Sequence, residues 1–198
     1  MARIYRINSK TISSLEKLIT LDSEYQNVQF NSSDALTLAI EYLFLEGYKI
    51  WENFLEAIFL SYSRYNDPIS GKRPFPYLAP KTESHALDLL KLEKNYLDWT
   101  SPDNVVKRAE ICFRSHSIIT TPIKASMQDL RDAKKLRNHI AHSSEESERI
   151  FQNISRNRIG QKVKRPGVFL NKISPDSINN YNVYFLELFK TLVNSLSV

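Results

Sequence analysis

From residue 34 to 65 the large apolar positions Phe44, Tyr48, Trp51, Leu55, Ile58 and Tyr62 recur at spacings of 4, 3, 4, 3 and 4. That is the period of a helix burying one face. The preceding "FNSSD" offers Ser32 or Ser33 as N-cap, so the pattern predicts one long helix over 34–65. A shorter amphipathic helix is predicted over 8–20, where Ile12, Leu15, Leu18 and Ile19 share a side. "YNDPISGKRPFPYLAP" then holds four prolines and Gly71 and reads as a long loop.

Helical period resumes at 84–99. "TSPDN" supplies Ser101 as cap, Pro102 at the first helical position and Asp103 in the first turn of a helix to about 119, and Pro122 ends that connection. Over 125–142 the residues Met127, Leu130, Ala133, Leu136, Ile140 and Ala141 are expected to face the core. Ser143 with Glu146 three positions on has the form of a capping box restarting a helix. "GQKVKRPGVFLN" is the one β-like piece, and Ser174, Pro175 and Asp176 are expected to open the last helix. The sum is an all-α fold, an antiparallel helical bundle with one small irregular or β-hairpin-like arm near 160–172. A single domain spanning 1–198 is expected, with 1–30 as an N-terminal extension of a 34–195 core.

Composition agrees. Only 4 of 198 residues are glycine, which disfavours glycine-loop nucleotide folds, sandwiches and barrels. Cys112 is the only cysteine, so a disulfide framework or a cysteine-ligated zinc within one chain is excluded. The most hydrophobic stretch, 35–60, carries Glu41, Glu46, Lys49, Glu52 and Glu56, too many charges for a bilayer span. The first residues have no apolar core after their arginines, so no secretory signal is read there and a cytoplasmic protein is expected.

The net charge is +5, but its placement is more informative. Between Lys124 and Lys172 there are twelve Lys and Arg against five Asp and Glu. The excess surrounds one segment, "KKLRNHIAHSSEE". Its Lys134 and Lys135, with Lys162, Lys164 and Arg165 of the "GQKVKRPG" turn, are candidates to hold the phosphates of RNA.

Within that segment Asn138 and His142 are four apart and share a helix face, while Arg137 lies about 140° around from His142 and converges only by its length. His142 precedes the polar restart, so it is expected at a helix C-terminus, where the macrodipole favours positive charge. Histidine moves protons near neutral pH and arginine holds negative charge. Together they suit cleavage of RNA by its own 2′-hydroxyl, which needs a base, an acid for the departing 5′ oxygen and a cation beside the phosphorane. That chemistry requires neither a metal nor a cofactor, and none is expected.

"LRNHIAHSS" resembles the Arg-Asn-x-x-x-His signature of the HEPN superfamily (higher eukaryotes and prokaryotes nucleotide-binding), and "YKIWENFLEAIF" resembles that family's first core helix. The resemblance implies a helical homodimer with two copies of the motif meeting in a cleft. It also implies a metal-independent endoribonuclease of toxin–antitoxin, antiphage or abortive-infection type. Carried over, Arg137 and His142 are the catalytic pair and Asn138 orients them. The partners implied are an RNA substrate, a second copy and an antitoxin or defence-system protein, with no membrane. Some members carry a tyrosine two residues after the histidine, where an antitoxin modifies it. Ser144 stands there instead.

His139, Glu52 and Glu56 are candidates to support the site, although packing accounts for the histidine and a solvated helix flank for the glutamates. The competing function is a non-catalytic helical module that binds RNA, a nucleotide or a partner protein through the same basic face.

Overall fold

A computed structural model describes residues 2–30, 32–64, 69, 71–91, 97–175 and 177–197. The fold is all-α. Among the described residues there are nine helices and no strand. They are α1 (Ala2–Asn27), α2 (Ser33–Ser63), α3 (Glu83–Lys91), α4 (Pro102–Cys112), α5 (Ser117–Ala125), α6 (Met127–His142), α7 (Glu145–Ile159), α8 (Pro166–Leu170) and α9 (Tyr181–Leu196). Among the described residues no helix is long and apolar enough to cross a membrane. The residues group into two compact units. One comprises Met1–Ile12, Trp51–Leu130 and Lys190–Val198, the other Ser13–Ile50 and Arg131–Phe189.

The apolar stripe of α2 is buried throughout, since Phe44, Tyr48, Trp51, Leu55, Ile58 and Tyr62 are all in the core. The helix starts where the Ser32 hydroxyl accepts the Ala35 N–H at 3.2 Å, a cap that satisfies an otherwise orphaned donor. α1 is longer at both ends than the predicted 8–20. Its Ile4 and Leu15 are fully buried, so the segment read as an extension contributes to the core.

In the first unit, the Tyr62 hydroxyl donates to the Leu196 carbonyl at 2.7 Å, tying α2 to α9. Phe59 packs on Trp99 and Phe113, with ring centroids 4.9 and 5.6 Å apart. The helix expected over 84–99 is described to Lys91, and 97–99 is not helical. Trp99 is drawn away by three contacts. Its ring meets Phe59, the Arg108 guanidinium lies 4.5 Å over it, and its Nε1–H donates to Glu56 at 3.1 Å. Arg108 is buried and donates to the carbonyls of Leu90 and Asp98.

Two further expectations are corrected. The helix opened by Ser101 and Pro102 stops at Cys112, because Phe113 turns extended and pairs with Pro76 in an isolated β-bridge. Pro122 does not break the connection but lies inside α5. It sits one turn from the end, where a missing N–H forfeits a single backbone bond.

In the second unit, Phe44 and Tyr48 of α2 meet Phe185 and Phe189 of α9 edge to face, the arrangement that aromatic quadrupoles favour. Asp22 of α1 is buried and accepts from Asn180 and Asn182 at 2.8 and 2.7 Å. The last helix therefore starts at Tyr181 rather than near Ser174. Asn180 is its cap, its side-chain oxygen accepting the Val183 N–H at 2.9 Å. Of the three residues expected to open it, Asp176 lies outside the described residues.

The 160–172 segment is irregular at both ends but holds a helical turn, α8, rather than a hairpin. Gly160, at φ 70°, closes α7 in the left-handed conformation that favours glycine. Gly167 approaches so closely that a Cβ there would collide with the Thr37 carbonyl oxygen, and its N–H donates to Glu41 at 2.9 Å.

Candidate functional site

α6 carries the quoted motif. Leu130, Ala133 and Leu136 are buried as expected, while Ile140 is half-buried and Ala141 is exposed. His142 is the last helical residue, as its place before the serines predicts. Ser143 then takes a positive φ of 43°. Its N–H and its hydroxyl both donate to the His139 carbonyl, at 2.9 and 3.2 Å, satisfying an acceptor that the helix end leaves open.

Ser144, not Ser143, is the N-cap of α7. Its Oγ accepts the Ser147 N–H at 3.2 Å. The acids Glu145, Glu146 and Glu148 fill the first turn, where the helix dipole stabilises negative charge.

This tight α6–α7 junction leaves a depression of about 300 Å³ lined by Lys135, Asn138, His142, Ser144, Glu146, Ser147 and Ile150. Lys135, Asn138 and His142 stand at i, i+3 and i+7 and therefore share one face of α6. Arg137 is not among the lining residues. It is half-buried, and its Nη1 lies 3.4 Å from Asn138 Oδ1, to which it donates. Asn138 thus connects the arginine to the depression.

His139 points the other way. It is 7% exposed and stacks on Phe151 with ring centroids 5.2 Å apart, so it packs α6 against α7. Its Nδ1 is 2.9 Å from Ser147 Oγ. The single hydroxyl proton of Ser147 goes to the Ser144 carbonyl at 2.8 Å, which assigns the hydrogen of the histidine contact to Nδ1. Burial pushes the His139 imidazole below its ordinary pKa, against the opposing pull of Glu148 and Glu41.

The other candidates are dispersed. Lys134 is half-buried, while Lys162 and Lys164 are exposed. Arg165 is engaged with Asp34 at 3.0 Å and Glu41 at 3.9 Å, so much of its charge is neutralised within the fold. Arg158 and Lys124, two more cations of the basic stretch, pair with Asp132 and Glu110. Glu52 and Glu56 belong to the unit that does not contain the motif, and Glu56 holds the Trp99 indole.

Sequence reasoning missed Glu146 as a site residue because it read that glutamate only as a capping-box partner. Placed four residues after His142 across a two-residue turn, it returns to the same depression. An exposed imidazole, a carboxylate, an ammonium and an amide around one concavity can move protons and bind an anion. Among the described residues, no group of three or more His, Cys, Asp or Glu side chains is placed to hold a metal ion. Against known protein families, curated proteins and solved structures, the chain finds no match.

Proposed function

We propose that the protein is a metal-independent endoribonuclease in which the 2′-hydroxyl of RNA attacks the adjacent phosphorus. The P–O5′ bond breaks, leaving a 2′,3′-cyclic phosphate and a 5′-hydroxyl. The observation that carries this reading is the convergence of Lys135, Asn138, His142 and Glu146 on one depression. His142 and Glu146 divide the proton work, one accepting the 2′-hydroxyl proton and the other donating to the 5′ oxygen. Lys135 and Arg137 supply positive charge for the phosphorane, with Asn138 steadying the guanidinium.

A homodimer with the two motifs at its interface would add a second imidazole to each site. Cleavage of cellular RNA fits a toxin or antiphage effector restrained by a partner protein. The second reading, a non-catalytic module that binds RNA, a nucleotide or a protein, draws on the position of Arg137 outside the depression.

The deciding experiment is incubation of the protein with total RNA in EDTA, beside His142→Ala. Fragments ending in 2′,3′-cyclic phosphate, made by the parent and lost in the variant, are expected. Cleavage that survives His142→Ala overturns the assignment, and RNA that is bound but left intact favours the module.

A further inference from the structure

α7 has an inner and an outer side. Phe151, Ile154 and Ser155 are buried, while Glu146 and Ile150 line the depression. From those two, Arg149, Asn153, Arg156 and Asn157 follow at spacings of three and four, so they continue the same face of the helix beyond the depression. All four are exposed. From Glu146 to Asn157 the stripe runs about 16 Å at the helical rise of 1.5 Å per residue.

A helix face that only meets water usually mixes its charges in pairs three or four residues apart. This one does not. Glu148 is the last acid before Asp176, so 149–175 holds seven Lys and Arg and no Asp or Glu. Two of the seven are neutralised within the fold, Arg158 by Asp132 and Arg165 by Asp34. Among the described residues, Arg149, Arg156, Lys162 and Lys164 are exposed and form no ion pair. The acids of α7 serve its start instead. Glu145 and Glu146 lie in the first turn, where the dipole favours them, and Glu148 acts on the His139 imidazole.

The basic turn is brought back to the same helix. After Gly160 ends α7, the chain doubles back until the Val163 carbonyl accepts a Gln152 side-chain N–H at 2.7 Å. Gln152 stands four residues before Arg156, one helical turn away, so Lys162 and Lys164 on either side of Val163 are held near that arginine. The turn is fixed at its far end too, by Arg165 on Asp34 and by the Gly167 N–H on Glu41. Like charges held together repel, and an anion laid among them relieves the repulsion.

We propose that the RNA strand cut in the depression runs on along α7. Arg149 and Arg156 hold its phosphates, the amides of Asn153 and Asn157 meet its base edges, and Lys162 and Lys164 take its far end. This path rests on the reading of the depression as a ribonuclease site, and it names the substrate class. A stripe one helix wide meets one backbone, so the substrate is a single strand with unpaired bases that the amides can reach. At about 3.4 Å per nucleotide, the stripe adds about five nucleotides to the footprint. Because the turn and the helix are already fixed, binding orders little beyond the strand itself.

The test is fluorescence anisotropy with the full chain and labelled 2′-O-methyl strands, which lack the attacking hydroxyl and stay intact. Lengthening the strand from about 2 to about 12 nucleotides should tighten binding up to about 7, the pair flanking the scissile phosphate plus the stripe, and little thereafter. Arg149→Gln and Arg156→Gln should each weaken the longest strand by about 10-fold while sparing the shortest. Each should make the slope of log affinity against log salt shallower by about 0.7. Asn153→Ala and Asn157→Ala should each cost about 2- to 10-fold with the slope kept, and nothing on a strand of abasic linkers. Lys17→Gln with Lys107→Gln removes the same two charges from exposed sites on α1 and α4 and should change nothing. All these side chains are exposed, so unchanged circular dichroism and melting serve as the folding control. Equal losses in the lysine and arginine pairs, or affinity independent of strand length, overturn the path. Polyglutamate of matching charge that binds as tightly as RNA also overturns it and assigns the stripe to an acidic protein segment. A parent whose RNA cleavage needs His142 but whose binding ignores Arg149→Gln and Arg156→Gln keeps the nuclease and loses the path. A parent that binds no strand and cuts no RNA loses both.

Discussion

His139 Nδ1 and Ser147 Oγ meet at 2.9 Å, and this contact joins the last turn of α6 to the first turn of α7. The segment that carries the motif is therefore braced by one histidine while presenting another. Because burial lowers the His139 pKa, the unfolded chain binds a proton there more readily than the folded one. The neutral ring contributes fully above the unfolded value of about 6.5, and that contribution is lost as pH falls below it toward the depressed folded value. Thermal melts from pH 7.5 to 5.5 should show the parent losing more stability than His139→Gln. Parallel losses would remove His139 as the source.

If His142 and Glu146 share the proton work, Glu146→Gln should reduce kcat/KM by about 100-fold or more. It should also erase one limb of the pH–rate profile. A change in KM alone, with the profile's shape kept, would make Glu146 a contributor to binding rather than to proton transfer.

Asp132 is buried and receives both Nε and Nη2 of Arg158 on one oxygen, at 3.1 and 2.8 Å. Removing the charge of one partner leaves a guanidinium in a poorly hydrated place. Asp132→Asn should cost about 3 kcal/mol in denaturant unfolding. The double variant Asp132→Asn, Arg158→Met should recover part of that loss.

Gly167→Ala should destabilise by about 1–3 kcal/mol, since the new methyl meets the Thr37 backbone and something must shift. Glu41→Gln should be milder, because an amide oxygen still accepts the Gly167 N–H.

The helices were legible where periodicity is long. The six apolar positions of the α2 stripe needed only their spacing, and all six are buried. The placement of His142 at a helix end followed from the polar run after it. What local sequence left open were choices made by tertiary contacts. Ser143 and Ser144 are equivalent as cap formers until one of them must adopt the left-handed turn. Trp99 fits a helical period, yet the Phe59 ring, Arg108 and Glu56 hold it outside the helix. The cations of the 124–172 stretch looked alike as letters. Only the fold reveals that Arg158 and Arg165 are turned toward carboxylates and Lys162 toward solvent.

The bond from Asn182 to Asp22 spans 160 positions of the chain, and that from Asn180 spans 158. A polypeptide leaving the ribosome cannot close this node until α9 has been made. Until then Asp22 lacks the two donors that make its burial tolerable. The unit that carries His142 thus completes its native contacts only once Asn180 and Asn182 have followed α6 and α7.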